Sequence, residues 1–438
     1  MPPRLVVRDA LVATPAALLE RATVVVEGGL VAEVAPEGTK VAARPDDWDV
    51  AGEGRLLVPG MVDAHTRLAV GALGRLAGLP ARSPESEAEY RHRLRARIED
   101  RLDAAAVEAL TAAGALAALR AGVTCACDLV RGAAGDEERT LPAAAAGVRR
   151  VGLRASLAYG PTDRRGGGSG RAGVAASAAF AALSRGDPLV RGVIGIDGLC
   201  ELGRSSIEAA GELGGEHGLH ACLAEDEEDV AHAFGMSGLH PVALVGSCGG
   251  LGPGAVIARD AALTSREVTL LADTGSWLAL SPRAALFWGG EFPPLGYIAA
   301  AGTPMAFGTD GLFPDVAGEA LAAAMCLRMA EHRATASGDV VTKEIWPGGG
   351  HVASRLFGVG LGEIAPGAAA DLVLLDWRPP APLPDLLAGD LAMLHAGAPA
   401  AWAIVNGEVR LREGHLLGGD EREIAAKARE AAARVLAA

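Results

Sequence analysis

PGMVDAHTRLAV, residues 59–70, runs an apolar strand-like segment into a polar end, Asp-Ala-His-Thr-Arg, and then turns apolar again. The same texture, a β-like run followed by an Ala/Leu-rich helical stretch, recurs along the chain. LLVPGMVDAH (56–65) is followed by GVTCACDL (122–129), RASLAY (154–159), VIGIDGL (193–199), GLHACLAE (218–225), AVIARDAAL (255–263), WLALS (277–281) and MAFGTDG (305–311). Eight such units predict an α/β fold, a closed (β/α)8 TIM-like barrel over 56–364, since parallel neighbours need a crossover helix between them. In such a barrel the reactive side chains stand at the C-terminal strand ends.

Outside the barrel, residues 1–55 alternate short β-rich runs (LVVRDALV, ATVVVEGGLVAEV) with Gly and Asp turns. The texture returns in DLVLLD (371–376) and in WAIVNGEVRLR (402–412), where Asn-Gly between β-branched runs signals a hairpin. The two ends are expected to build one composite β-sandwich from 1–55 and 365–418. The tail, 419–438, reads as one helix with Asp420 as its cap and Arg434 near its end.

Composition narrows the function classes. The chain has 438 residues, a formal charge of −14, and 4% aromatic residues. Excess negative charge repels phosphate backbones and anionic lipid, and so few aromatics give no stacking platform for bases. The expected partners are a small molecule or another protein, with no nucleic acid and no membrane. MPPRLVVRDALV lacks the basic-then-apolar order of a signal peptide, and six cysteines without CxxC suit a reducing compartment, so a cytoplasmic protein is expected.

Several features have plain readings. RRGGGSGR (164–171) lacks the strand-loop-helix context and lysine of a phosphate loop and reads as a connector, and GVGLGEIAPG (358–367) is a similar decoy. Cys125 and Cys127, two apart on a strand, share a face and suit barrel packing. The helix RHRLRARIEDRLD (91–103) mixes charges in the manner of a solvated face. His217, His220 and His232 read as bystanders, and His65 also fits a hydrogen-bonded histidine at a strand end.

Taken together, PGMVDAHTR, LHACLAEDEEDV, AFGTDG and the closing IAPGAAADLVLLDWRPPAPL…VNGEVRLREGHL resemble the amidohydrolase superfamily, in its aminohydrolase/chlorohydrolase branch with guanine deaminases and SsnA-type aminohydrolases. The resemblance covers nearly the whole chain. It implies one divalent metal, held by an HxH pair after the first strand, one histidine after each of the fifth and sixth strands, and an aspartate after the eighth. Carried over, His65 matches the first ligand and Asp310 the last. Arg67 stands at the second, Cys222 at the fifth-strand ligand of an HxHxAE motif, and Arg259 at the sixth-strand histidine. Glu225 resembles the proton-shuttling glutamate, while Asp197 lies near the place of a supporting fourth-strand histidine.

Arginine stays protonated and has no lone pair to donate, so Arg67 and Arg259 cannot ligate. A Cys222 thiolate could join His65 and Asp310 in a three-ligand set, the minimum for catalytic zinc. The expectation is therefore no cofactor: a site in which salt bridges replaced the metal, in a non-catalytic homologue, partner subunit or ligand binder. The alternative is a hydrolase or deaminase of non-peptide C–N bonds in a small N-heterocyclic substrate, with Glu225 and Asp310 catalytic and either a weakly held zinc or iron or none. The resemblance further implies a homodimer.

Overall fold

The computed structural model describes residues 3–71, 73, 87–99, 101–133, 135–166, 168–259, 263–290, 293–333, 340–345, 347–378 and 397–437. Its centre is a run of eight parallel strands: Met61–Thr66, Val123–Val130, Arg154–Tyr159, Val190–Asp197, Leu219–Cys222, Ala255–Arg259, Trp277–Leu280 and Met305–Phe307. We number these as barrel strands one to eight. The barrel closes where the Thr309 and Asp310 N–H groups both donate to the His65 carbonyl, at 2.8 and 3.0 Å. Each β-like segment seen in the sequence contributes one barrel strand, so the (β/α)8 architecture holds.

Small side chains fill the barrel's interior, among them Ala64, Cys127, Ala158, Cys222, Ala258, Ala279 and Ala306. Larger ones such as Leu157, Ile194, Ile257 and Phe307 point outward against the surrounding helices. The interior is thus a packed core, and polar side chains gather at its mouth. Cys125 and Cys127 are both free and buried, and burial pushes both thiols up, as suits packing residues.

The segment LLVPGMVDAH divides into two strands. Leu56–Pro59 joins the outer sheet, pairing with Leu5–Ala13 and Leu372–Leu375, and only Met61–Thr66 enters the barrel. The break falls at Gly60, where a Cβ would lie 2.0 Å from Thr124 Oγ1, too close for any side chain. The barrel accordingly begins after residue 60 and not at 56.

Among the described residues that outer sheet has nine strands, drawn from both ends of the chain. Its path runs His415–Leu416, Glu408–Arg412, Ala400–Val405, Leu372–Leu375, Leu56–Pro59, Leu5–Ala13, Leu18–Glu27 and Leu30–Ala35, with Trp48–Ala51 beside Leu5–Ala13. It carries a core of its own around Leu5, Val24, Leu57, Leu372, Trp402 and Ile404. Asn406 and Gly407 both have positive φ, 53° and 75°, as the expected hairpin turn requires. A buried ion pair links sheet to barrel: Arg154 Nε and Nη2 donate to Asp371 Oδ2 and Oδ1, each at 2.9 Å. The tail forms the helix Glu421–Leu436, and Asp420 accepts from the Arg422 and Glu423 N–H groups. Among the described residues no helix is long and apolar enough to cross a membrane.

Candidate functional site

Arg67 follows the first barrel strand directly and turns inward across the mouth. Its Nε donates to Asp310 Oδ1 at 2.8 Å, while Nη1 and Nη2 donate to Asp197 Oδ2 and Oδ1 at 2.6 and 2.7 Å. Nη2 also lies 3.5 Å from Glu225 Oε1. Burial opposes the charge on Arg67, but Asp197 and then Asp310 more than offset this and hold its proton tightly. Burial likewise pushes the Asp310 carboxyl up, and Arg67 followed by His65 overcomes it, keeping that group below the usual carboxylate range.

Asp197, at the end of the fourth strand and fully buried, serves two guanidinium groups. Arg131, just beyond the second strand, donates from Nε to Asp197 Oδ2 and from Nη2 to the Asp197 carbonyl. Its Nη1 reaches Glu99 Oε2 at 3.0 Å and Glu201 Oε2 at 2.7 Å. Glu99 is the last residue of the helix Glu87–Glu99, so the charge network runs from the barrel floor into a helix beside the mouth.

His65 is hydrogen-bonded at both nitrogens. Its Nε2 lies 3.2 Å from Asp310 Oδ1 and its Nδ1 lies 2.9 Å from His220 Nε2. Burial lowers the His220 pKa well below the ordinary value, so that ring is neutral. Its Nδ1 has no partner, and its Nε2 meets His65 Nδ1, so one of the two rings donates across that contact. The bystander reading of His220 is thus corrected: it lies under the mouth as the support of His65. His217 and His232 play no part there; His232 Nε2 lies 3.2 Å from the Leu202 carbonyl.

Two non-glycine residues at the mouth adopt the left-handed backbone conformation, Ala224 (φ 51°) and Asp310 (φ 48°). Such strain persists where surroundings impose it. At Ala224 the N–H is held by Asp229 Oδ2, and Asp229 Oδ1 also accepts from Leu199 and Cys200, tying the loops after strands four and five together. That clamp presents Glu225. Asp128, two residues before the end of the second strand, accepts from the Leu68 N–H at 2.9 Å through Oδ1, while Oδ2 is buried without a partner; burial pushes this carboxyl to about 7.

A pocket of about 610 Å³, including its open mouth, sits above this floor. Its polar lining is Arg67, Glu99, Glu225 and Asp310, and its apolar walls include Leu94, Ile98, Trp288 and Leu312. Arg259 closes the sixth strand, but its side chain lies outside the described residues. Glu99, Arg131, Asp229 and Trp288 escaped the sequence reading. Glu99 was hidden in a helix whose charges suggest a solvated face, and it is in fact 3% exposed. The others carry no motif; they act through loops that meet only in the folded chain.

Ligand-capable atoms of Asp197, Cys222 and Glu225 lie within 4.8 Å of one another. As placed, these side chains do not fit a divalent ion. The Asp197 oxygens are engaged by Arg67 and Arg131, both His65 nitrogens are hydrogen-bonded, and the guanidinium stands among the carboxylates. At 4 Å and an effective dielectric of 20, each unit of like charge beside it costs about 4 kcal/mol. RRGGGSGR passes into the helix Ser169–Leu183, and its Arg164 reaches the edge of the charge network, 3.6 Å from Glu201 and 3.9 Å from Glu99.

Residues 56–408 match a family model described as the amidohydrolase family. The chain is 24% identical to a 5'-deoxyadenosine deaminase of Methanothrix thermoacetophila over 424 residues, covering 94% of this chain and 95% of the other. It is 26% identical to a 5-methylthioadenosine/S-adenosylhomocysteine deaminase of Moorella thermoacetica over 411 residues, 90% of each chain. A crystal structure of an adenosine deaminase from Xanthomonas campestris with bound zinc superposes with a TM-score of 0.83 at 22% identity, covering 99% of both chains.

Proposed function

The chain belongs to the amidohydrolase family, and from that membership we propose that it is a hydrolase of non-peptide C–N bonds acting on a small N-heterocyclic molecule. Its relatives' names point to the amino group of an adenine nucleoside. One observation carries the reading: a pocket with apolar walls and Trp288 at its side ends on the two carboxylates Glu225 and Asp310. A flat ring suits the walls, and an exocyclic amine suits the floor.

The chemistry follows from the protonation states. Asp310, kept ionised by Arg67 and His65, accepts a hydrogen bond from the attacking water and takes its proton as oxygen bonds to the amine-bearing ring carbon. Glu225, carrying a proton when the substrate binds, gives it to the ring nitrogen; the proton taken by Asp310 passes to the amine, the C–N bond breaks and ammonia departs, and the new hydroxyl returns its proton to Glu225 as it becomes the ring carbonyl. Arg67 does not polarise the substrate, because its N–H groups already serve Asp310, Asp197 and Glu225. Its part is to keep Asp197 and Asp310 charged side by side. The zinc of the Xanthomonas protein supports an alternative in which zinc or iron is held by His65, Cys222 and Asp310. That arrangement requires Arg67 to leave its partners.

A second reading, a homologue that binds such a molecule without turning it over, is favoured by the engaged state of Arg67. Ammonia release from 5'-deoxyadenosine and 5'-methylthioadenosine, measured beside calorimetric binding of the same compounds, separates the two. Turnover supports the hydrolase, binding alone supports the second reading, and the absence of both refutes this substrate class.

A further inference from the structure

We propose that the Arg67 guanidinium is the resident cation of this barrel, supplying at its mouth the positive charge that a divalent ion would otherwise supply. The inference stands whether or not the protein turns over a substrate. Its support is the convergence on one side chain of carboxylates from three separate strand ends: Asp197 after strand four, Glu225 after strand five and Asp310 after strand eight. These groups are buried or nearly so, with side-chain exposures of 0%, 7% and 12%. Buried carboxylates gathered so closely require a cation, and a side chain of the chain itself provides it.

Three features distinguish this from an ordinary ion pair near a vacant metal site. First, the guanidinium plane matches Asp197 in fork-to-fork geometry, with both bonds at or below 2.7 Å, an arrangement specific to arginine. Second, Arg67 occupies the second position of the His-x-His pattern, so the residue that removes a ligand also brings the replacement charge. Third, Asp197 is held from behind by Arg131, which continues to Glu99 in the pocket wall. An ion exchanges with solution; this cation is tethered, and its network fastens the mouth to the helix Glu87–Glu99.

The test is metal content. Wild-type protein expressed with zinc, iron and manganese in the medium and purified without chelator is expected to hold far less than one metal per chain. Zinc titration should give no calorimetric signal at the site, and neither zinc nor EDTA should move the melting temperature. Near-stoichiometric metal, located by anomalous scattering at His65 and Asp310, overturns the proposal. In the other direction, Arg67→His, Cys222→His and Arg259→His together supply three neutral imidazoles in place of two arginines and a thiol. If this variant folds by circular dichroism, it is expected to gain close to one zinc per chain; a folded variant that stays metal-free overturns the claim that arginine took the ion's place. Should the triple variant fail to fold, the wild-type metal content and titration still decide.

Discussion

Arg67 and Asp197 grip each other across the barrel mouth, Nη1 to Oδ2 at 2.6 Å and Nη2 to Oδ1 at 2.7 Å. One residue follows the first strand and the other ends the fourth, so the pair joins opposite sides of an eight-stranded ring. The polar geometry of the pocket floor depends on this crossing. Asp310 takes its low pKa from the same guanidinium, and Glu225 borders it.

Replacing Arg67 by methionine keeps much of the volume and removes the charge. Asp197, Glu225 and Asp310 then lose their shared partner in a site with little water, and breaking a buried pair from one side typically costs about 3–5 kcal/mol. Chemical denaturation should show a loss of that order, with the midpoint falling and the slope unchanged. A variant as stable as wild type would mean that Arg131 alone satisfies Asp197 and that the crossing is dispensable.

Stability should fall as pH rises from about 4 toward 7. Burial pushes Asp128 to about 7 from its ordinary 3.8, and Glu319 to about 7 from its ordinary 4.5. Between those values the native state keeps a proton that the unfolded chain has released. Each group therefore favours the fold fully only below its unfolded pKa, and that contribution is lost as pH rises toward the folded one. For Asp128, three units correspond to up to roughly 4 kcal/mol. Asp128→Asn removes one titration, so a melting curve measured from pH 5 to pH 8 should be flatter in the variant. An equal slope in both proteins places the pH response elsewhere.

Much of this fold was legible because strand texture and strand count are local properties. MAFGTDG and WLALS each announce a short buried strand, and eight of them in a row leave few architectures open. The split at Gly60 was not legible, since it depends on how closely Thr124 approaches in space. Arg67 could be singled out by comparison with a motif; its partner Asp197, 130 residues away, could be placed only near the mouth. His220 was misread because strand periodicity tells which face a residue takes but not what stands opposite. Arg131 and Glu99 remained hidden for the same reason, each ordinary in its own segment and meaningful only as a pair.

Gly308 lies just beyond the eighth strand, where the barrel closes, and a Cβ built on it would lie 2.7 Å from both the backbone nitrogen and the Cβ of His65. Neither atom can retreat without disturbing the bonds from Thr309 and Asp310 to the His65 carbonyl. Gly308→Ala should therefore cost about 1–3 kcal/mol by overpacking. It should also shift the His65 ring resonances, because the same displacement carries the imidazole away from Asp310. Wild-type stability together with unchanged imidazole shifts would show that the closure has slack.

Trp288 is the one aromatic residue in the pocket lining among the described residues, and it offers a readout of what the pocket takes. A planar heterocycle lying between the apolar walls should stack on the indole or meet its edge, which is worth about 0.5–1.5 kcal/mol beyond the area buried. Titration with 5'-deoxyadenosine should therefore quench part of the intrinsic fluorescence. Trp288→Phe keeps an aromatic face and should abolish that quench with a modest loss of affinity; Trp288→Ala should weaken binding by roughly tenfold. Trp48, in the outer sheet beside Leu5–Ala13, provides the control, and Trp48→Phe should leave the quench intact. If the Trp288 variants bind and quench as wild type does, the heterocycle sits elsewhere. The assignment of this pocket as the nucleoside site then fails, whatever holds Arg67 in place beneath it.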